Sequence, residues 1–564
     1  MIILEQRWSR EERARKTDAF GKLALGGGPG LSFRQVAEEI GVARSTLQHW
    51  LQCKSGIDAT PDLVEFFESP TGVAFLHRLV VAAHLVMTTA GPCGIRLVCL
   101  LLNLTGIDQF VAASYGSQQQ VSAAMEETIV KYGDEEKARL ASGMEPKEIT
   151  ICEDENFHQA PCLVGIEPVS NFILLEKYAS DRTAEQWTAC VTEATKDMKL
   201  KVIQSTSDEG KGILRHTREH LGAHHSPDLF HVQHELVKGT SVALRHRKKQ
   251  AQKEVEEAKK ELDRRQEAKG TYLANKHGPG RPPDFDKQIR GAQGQVSEAE
   301  QALEMAEHHQ DAAKEAIRGI AEDYHPYDLE TGKEKTAEDV ATSLNRRFSE
   351  IESIAMAANL PENSIRRIEK AKRVLGSMVA TIAFFYVLVR AKVEALGLTP
   401  LQERAMYQHL IPSIYISCVS RKITNNERRK DLRQCSEKLL TPLLLPNGPF
   451  GDCTREKKAL IEDVATECAH LFQRSSSCVE GRNGYLSLRH HGLHRISDRK
   501  LAALTTVHNF FIRDNQGRTP AERFFGAKPK DLFQYLLDRV DLPGRPAKKR
   551  STTGDRQKPL LAAA

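Results

Sequence analysis

The stretch ITICEDENFHQ, Ile149 to Gln159, places three acidic residues next to each other in a run that otherwise predicts a β-strand. Acidic residues are depleted in strands, so the cluster Glu153, Asp154 and Glu155 needs a reason. One interpretation is a strand that ends near Asp154 in a solvated turn. The other is a carboxylate held at the end of a strand, where it can bind a metal ion.

The residues that follow predict a β-meander and then a helix. In CLVGIEPVSNFILLEKYASDRTAEQW, apolar runs at 162–167 and 172–177 predict two strands, and PVSN is the turn that joins them. Asp181 or Thr183 can cap a helix that begins near Thr183.

Two further short strands are predicted behind this helix. Residues 200–205 form one of them, with Asp208 just past its end, and residues 229–232 form the other. The predicted order is therefore three strands, a helix, a strand, and then a helix and a strand, with an acid at the first strand and another after the fourth.

This order resembles the ribonuclease H-like core of DDE transposases and retroviral-type integrases, where the first and fourth strands are neighbours and their acids meet. The matching residues are Asp154 and Asp208, and the dipeptide Asp154-Glu155 is a form that many bacterial insertion-sequence transposases use. The resemblance implies that 146–235 is the first part of such a core.

The family also needs a third acid, usually a glutamate on a helix after the last strand. No glutamate close behind Val232 has a comparable context, but Glu480 lies in SSSCVEGRNGYLSLRHHGLHRIS among basic and polar residues. The ending HNFFIRDNQGRTPAERFFG, 508–526, also looks like the tail of an insertion-sequence transposase. Glu480 is therefore the predicted third acid, against the alternative of a surface acid paired with Arg482.

The resemblance implies a DNA transposase that cleaves transposon ends and joins their 3′-hydroxyls to target DNA. Two Mg²⁺ ions per site, with Mn²⁺ as a substitute, are then held by Asp154, Asp208 and Glu480. The implied partners are transposon-end DNA, target DNA and further copies of the chain in a homodimer or higher homo-oligomer, with no membrane, in the prokaryotic cytoplasm at the nucleoid.

Alternatives remain open at this point. Asp228 is the reserve for Asp208, and His231 and His234 behind it are expected near the active site. The function could instead be that of a catalytically inactive, transposase-derived DNA-binding regulator, or of a ribonuclease H-like nuclease without strand transfer. His216, His220 and His224 would share one face of a helix, but no cysteine or carboxylate completes a standard zinc spacing, so polar contacts near DNA or partly buried histidines are expected instead of a zinc site.

The N-terminal residues predict a helix-turn-helix module. In LSFRQVAEEIGVARSTLQHWLQ, 31–52, two apolar helix faces flank Gly41 as the turn. The outward polar residues at the start of the second helix, where such modules contact bases, are Arg44, Ser45, Gln48 and His49. A weaker second copy is predicted after Ile95, with Gly116 as its turn.

The long region 236–474 is predicted to be all-α. Heptad-like apolar spacing at 240–269 and 288–322 predicts two long helices, and NKHGPGRPPDF between them forms the tip of an antiparallel hairpin. The tip and the C-terminal tail share the tetrapeptide PGRP, which resembles an AT-hook that lays arginine into a narrow minor groove. The predicted DNA contacts in these regions and beside Glu480 are Arg281, Arg482, Arg489, Arg545, Lys548, Lys549 and Arg550.

Together these features predict a multidomain α+β protein with helix-turn-helix modules and a ribonuclease H-like α/β core interrupted by an all-α insertion that contains a coiled-coil hairpin. The predicted domains are a helix-turn-helix domain at 1–60, a second helical domain at 61–145, the two core parts at 146–235 and 475–540, the insertion at 236–474 and a basic tail at 541–564.

Composition agrees with an ordinary globular chain. The 564 residues carry 80 Lys and Arg against 75 Asp and Glu, a net charge of +5, so any nucleic-acid surface must come from local patches. The 11 cysteines include no CxxC pair, which indicates a reducing compartment. The N-terminus lacks the order of a signal peptide, and the apolar runs 79–104 and 374–389 are predicted to be buried core helices.

Overall fold

The computed structural model describes residues 8–25, 32–157, 160–276, 278, 280–445, 447–493 and 496–546. Helices dominate this part of the chain, and its strands form one small mixed sheet. The predicted α+β class is confirmed at this level.

The described chain begins with three helices around a small apolar core. Their bounds are α1 Arg10–Leu25, α2 Phe33–Glu39 and α3 Arg44–Ser55. Ser32 and Gln35 form a capping box at the start of α2, and Gly41 has a φ of 67° in the turn before α3. The core of the unit consists of Ala37, Val42, Leu47 and Trp50. The two predicted helices and their turn glycine are confirmed.

The next helices are α4 Pro61–Phe67, α5 Pro70–Ala83, α6 Ile95–Leu104 and α7 Tyr115–Ser142. Gly116 lies in the first turn of α7, so its predicted role as the turn between two helices is wrong. The cap is two residues before Gly116, where the Ser114 hydroxyl accepts from the Ser117 N–H, and the helix then continues for 28 residues because its apolar face is buried.

The sheet contains β1 Lys147–Phe157, β2 Pro161–Glu167, β3 Phe172–Tyr178, β4 Leu200–Ser207 and β5 His224–Pro227. Within the described residues its order is β3-β2-β1-β4-β5. β2 is antiparallel to β1 and β3, whereas β1, β4 and β5 are parallel. Helix α8, Ala184–Thr195, connects β3 to β4 with Thr183 as its cap, as predicted.

Strand β1 is longer than its sequence predicts. It continues through the acid cluster to Phe157, and Asp154 pairs with Val164 of β2. The predicted strand end near Asp154 is therefore wrong. Hydrogen bonding between neighbouring strands outweighs the low strand propensity of acidic residues here.

The last predicted strand is also corrected. Residues 224–227 form β5, whereas 229–232 begin a long helix. Asp228 separates the two because its Oδ1 accepts the Phe230 N–H at 2.8 Å and caps that helix. Between β4 and β5 lie α9, Lys211–Arg215, and a π-helical turn at 216–220.

Helices α10, Leu229–Ala274, and α11, Phe285–Asp323, form the predicted hairpin. Their ion pairs run in opposite directions along the two sequences, which is the order that antiparallel helices produce. The pairs are Lys248–Glu307, Lys259–Glu300 and Lys269–Asp286.

The chain remains helical up to residue 470. The helices are α12 Ala337–Ala357, α13 Glu362–Arg373, α14 Leu375–Glu394, α15 Pro400–Ala405, α16 Ile411–Lys422, α17 Asn426–Leu440 and α18 Arg455–His470. Together with the base of the hairpin they bury their own apolar core, which includes Leu236, Ile320, Phe348, Phe385 and Ile416. The predicted all-α region therefore has a core distinct from that of the sheet.

The final helices return to the sheet as α19 Ser477–Leu493, α20 Asp498–Phe510, α21 Pro520–Phe525 and α22 Leu532–Leu537. The core on this side joins α5 to α7, the sheet and these last helices, and includes Val80, Met125, Ile151, Phe172, Val507 and Leu536. Segment 61–145 thus shares a core with the sheet instead of enclosing one of its own.

Two helical stretches, Pro70–Ala90 and Glu362–Glu394, are long and apolar enough to cross a membrane by length and composition. Core helices can pass the same test. Both stretches contribute side chains to the apolar cores, among them Leu76 and Phe385, which are almost fully buried.

Candidate functional site

Alternation along β1 sends the three acids of the opening stretch to two faces of the sheet. Glu153 is fully buried, accepts from the Ser205 hydroxyl, and lies 3.3 Å from His216 Nε2. Glu155 accepts from Trp187 Nε1 at 3.3 Å and from Arg182 at 3.1 Å. These two acids therefore have structural partners on the face that α8 covers.

Asp154 points to the opposite face, towards α19. Its Oδ1 accepts the Glu155 N–H at 2.8 Å, and its Oδ2 accepts Asn483 Nδ2 at 3.0 Å. The amide of Asn483 thus fixes the orientation of the Asp154 carboxylate from a helix more than 300 residues away in sequence.

The register of the parallel strands aligns three aspartates. Glu153 pairs with Ser207, and Ser207 pairs with Pro227. The next residue of each chain segment is an aspartate, so Asp154, Asp208 and Asp228 follow side by side, with Asp154 inside β1 and Asp208 and Asp228 just past the ends of β4 and β5. Neither the low propensity of Asp for strands nor the chain order predicts this alignment of all three.

Asp228, His231 and Glu480 bring ligand atoms within 4.8 Å of one another, a group that could hold a metal ion. Asp228 Oδ2 accepts from the Ser476 hydroxyl and lies 3.8 Å from His231 Nε2. Because α10 starts at Leu229, His231 lies one turn after Asp228 on the same helix. Glu480 reaches the group from the first turn of α19.

The carboxylates of the site lie near one another without enough positive charge to neutralise them. The pKa of Asp154 is raised to about 6, chiefly by burial and also by the nearby charges of Asp208 and Asp228, against the Glu155 N–H and His231, which lower it. Burial also raises the pKa of Glu480, and the charges of Asp228 and Asp154 add to this effect. A bound cation would relieve this repulsion.

Of the three predicted catalytic acids, Glu480 belongs to the Asp228–His231–Glu480 group, whereas Asp154 lies outside it but close enough for its charge to act on Glu480. Asp208 lies outside the Asp228–His231–Glu480 group, and its Oδ1 accepts the Gly210 N–H at 2.9 Å. It is still close enough for its charge to act on Asp154. The reserve residue Asp228 is the aspartate that the structure places in the group.

The predicted DNA contacts Arg482 and Arg489 are corrected, because both are buried on the far face of α19. Arg482 forms a double hydrogen bond with Glu176 of β3, through Nε at 2.7 Å and NH2 at 2.6 Å. Arg489 donates to the carbonyls of residues 88–90 and to the Tyr485 hydroxyl. Both arginines hold α19 in place.

The other predicted DNA contacts have different environments. Arg44, Ser45, Gln48 and His49 are exposed along α3, and Arg281 is exposed at the hairpin tip. Arg545 is instead paired with the buried carboxylate of Glu68, which also binds Arg10. Lys548, Lys549 and Arg550 lie outside the described residues.

The three histidines at 216, 220 and 224 do not share one helix, so that prediction is wrong. His216 and His220 lie in the π-helical turn and both contact the Thr188 hydroxyl, whereas His224 belongs to β5 and contacts Thr381.

Two site residues were missed at the sequence level. Asn483 is three residues after Glu480, so the two share a helix face, and that spacing was the available signal. Ser476 gives no comparable signal, because its contact with Asp228 depends on how α19 returns to the sheet.

A protein-family model described as "Family of unknown function (DUF6399)" matches residues 406–552. The match includes Glu480 and Asn483, and its description assigns no activity. No curated protein matches the chain.

Proposed function

We propose that the protein is a DDE-type DNA transposase with a ribonuclease H-like core, which cleaves transposon ends and joins them to target DNA. The observation that carries the proposal is the alignment of Asp154, Asp208 and Asp228 across three parallel strands, with Glu480 arriving from α19. Four acids from distant parts of the chain, brought together by three parallel strands and α19, are costly for stability, so a catalytic role is the simplest reason for them.

The sheet supports the same proposal. Its order β3-β2-β1-β4-β5, with β2 antiparallel to its neighbours, is the arrangement expected from the resemblance. The helical region 229–472 lies between β5 and α19 and would be an insertion that separates the last acid from the rest of the core.

The donor set fits a divalent cation. His231 Nε2 is shielded from solvent and has no hydrogen-bond partner among the described residues, although it lies beside the Asp228 carboxylate. Carboxylate oxygens suit Mg²⁺ and Mn²⁺, and an imidazole nitrogen in the set favours Mn²⁺ over Mg²⁺. Asp154, His231 and Glu480 would hold such ions, together with Asp228 or Asp208 as the second aspartate.

When bound, such ions activate the attacking oxygen and stabilise the leaving oxygen of an in-line displacement at phosphorus. Other residues of the chain hold these ligands in the required orientation. Asn483 orients Asp154, Ser476 orients Asp228, and Arg482 and Arg489 fix the helix that carries Glu480. The exposed polar face of α3 would hold the element end through base contacts.

The test is metal-dependent cleavage and joining by the purified full chain, on DNA that carries the repeats flanking its own gene. With Mg²⁺ or Mn²⁺ we expect nicks with free 3′-hydroxyls and joined products, and neither with Asp154→Asn. Cleavage without joining would identify a nuclease instead. DNA binding without cleavage would identify a regulator that has lost its chemistry.

The same assay tests whether Asp208 or Asp228 is the second metal-binding aspartate beside Asp154. If Asp228 holds the ion, Asp228→Asn abolishes cleavage and Asp208→Asn retains part of it. Because Asp228 also caps α10, its variant must keep the wild-type urea midpoint for the comparison to count.

A further inference from the structure

The first half of α10 carries mostly positive charge. Between Glu235 and Glu254 the sequence contains no acidic residue, whereas it contains the bases Lys238, Arg245, Arg247, Lys248, Lys249 and Lys253. A run of this kind on a protein with a net charge of only +5 is a local feature rather than a consequence of overall composition.

Helical periodicity places part of this charge on one face. His231, His234, Lys238, Val242, Arg245 and Lys249 follow one another at steps of three or four residues, so they form a single stripe along α10. We call these six residues the α10 stripe.

The other faces of this part of α10 are covered. Leu236, Thr240 and Leu244 are buried in the all-α core, and Gly239 allows α13 to approach closely. The stripe itself faces outward. Val242 is 75% exposed, a value that would be unusual for an apolar side chain inside a covered interface.

The bases of the stripe differ from their neighbours on α10 in their ion pairing. Lys248 and Lys259 of the same helix pair with glutamates of α11. In the part of the chain that the structure describes, Lys238, Arg245 and Lys249 form no ion pair at 4.0 Å or less. Their charges are therefore available to an external anion.

The stripe starts at the candidate metal site, because His231 belongs to both. At 1.5 Å per residue, the 18 residues from His231 to Lys249 span about 27 Å, the length of about 8 base pairs of B-form DNA.

We propose that the α10 stripe binds the phosphates of a DNA duplex that runs from the metal site along the base of the hairpin. The inference rests on the proposed function, because it is the reacting phosphodiester at the Asp228–His231–Glu480 group that fixes where the duplex starts. Duplex DNA suits this surface because three unpaired cations in a straight row beside a metal site match a regular row of phosphates.

The test is the salt dependence of binding to a 30-base-pair duplex of arbitrary sequence, measured without divalent ions. The variant Lys238→Gln/Arg245→Gln/Lys249→Gln is expected to lower the slope of log K against log salt by about 2–3, since each phosphate contact contributes about 0.9. Exposed Lys→Gln and Arg→Gln changes should leave the urea midpoint unchanged.

The matched control is Lys259→Gln/Arg264→Gln/Lys269→Gln. It removes the same charge from the same helix, but from residues that already pair with Glu300, Glu261 and Asp286. We expect the wild-type slope from this control. An unchanged slope in the stripe variant, or an equal loss in the control, would overturn the inference.

The two proposals fail in different ways. If the stripe variant loses slope but the wild-type chain never cleaves DNA, the stripe remains a duplex-binding surface and the transposase proposal is wrong. If the wild-type chain cleaves DNA and the stripe variant keeps the full slope, the transposase proposal stands and the stripe is not its DNA path.

Discussion

The two faces of α19 use polar residues in opposite ways. On one face, Glu480 and Asn483 meet the aspartates of the sheet, where acids lie near other acids. On the other face, Arg482 meets Glu176 in a pair of which the arginine side chain is 5% exposed and the glutamate 0%. Both faces bury charge, but only the second one neutralises it.

This difference indicates which residues serve function and which serve stability. A buried ion pair with good geometry is self-sufficient, and removing one partner leaves a costly unpaired charge. Clustered carboxylates repel one another, so they need a cation from outside the cluster to neutralise them. We call the face with Glu480 and Asn483 the acid face and the face with Arg482 the arginine face. Substitutions on the acid face should change metal binding and catalysis, and substitutions on the arginine face should change stability against denaturant.

The largest expected effect is on catalysis at the acid face. Glu480→Gln removes a ligand of the proposed ion, so we expect cleavage to fall by on the order of 10³-fold, equivalent to several kcal/mol of transition-state stabilisation. The same change removes a like charge, so the metal-free protein should melt no lower than wild type. A variant with both lower activity and a lower melting temperature would contradict this distinction between the two faces of α19.

The next effect is on stability at the arginine face. Arg482→Met leaves Glu176 buried without its cation and should cost about 3–5 kcal/mol in urea unfolding. Arg482→Met/Glu176→Leu should recover most of that loss, because the charge is removed together with its partner. If Arg482→Met instead weakens DNA binding and leaves stability unchanged, then Arg482 is a DNA contact after all.

A smaller effect is expected for the residue that orients Asp154. Asn483→Ala removes the hydrogen bond to Asp154 Oδ2, and the loss of such a partner typically weakens metal affinity by about 10- to 100-fold. Calorimetric titration with Mn²⁺ measures this directly. An unchanged affinity would show that Asp154 is oriented without Asn483.

The smallest effect concerns pH at the arginine face. The pKa of His508 is lowered to about 4, chiefly by burial and also by the charge of Arg482. The unfolded chain, with a histidine pKa near 6.5, then binds the proton more readily, so stability falls as pH decreases from about 6.5 towards 4.

His508→Gln should make the pH dependence of unfolding shallower by about 1–2 kcal/mol between pH 7 and pH 5. Urea unfolding of both proteins at the two pH values measures the difference. Parallel curves for wild type and variant would mean that His508 remains neutral or charged in both states alike.

Prediction from sequence succeeded where the pattern was local. The meander, the helix capped by Thr183, the turn at Gly41 and the long hairpin each depend on neighbouring residues, and each is present. It failed at residues 229–232 and at Gly116, where a short apolar run or a single glycine fits several structures. There the cap residues Asp228 and Ser114 decided the outcome.

The residues of the candidate site also divide into those that a local pattern predicts and those that it does not. The opening stretch and the chain order identified Asp154 and Glu480, and Asp228 was kept as a reserve. The partners Asn483 and Ser476 come from α19, which is separated from the sheet by the whole all-α region, so no local pattern connects them to an aspartate.

By itself, the sequence determined most of the helices and strands, with an acid in β1 and another just after β4, because these follow from periodicity, capping and turn residues. Only the tertiary structure decided which acids act together and which arginines are structural. The physical reason is that burial and charge compensation depend on what packs opposite each side chain. Glu153 and Asp154 are neighbours in sequence, yet one meets His216 and the other meets Asn483.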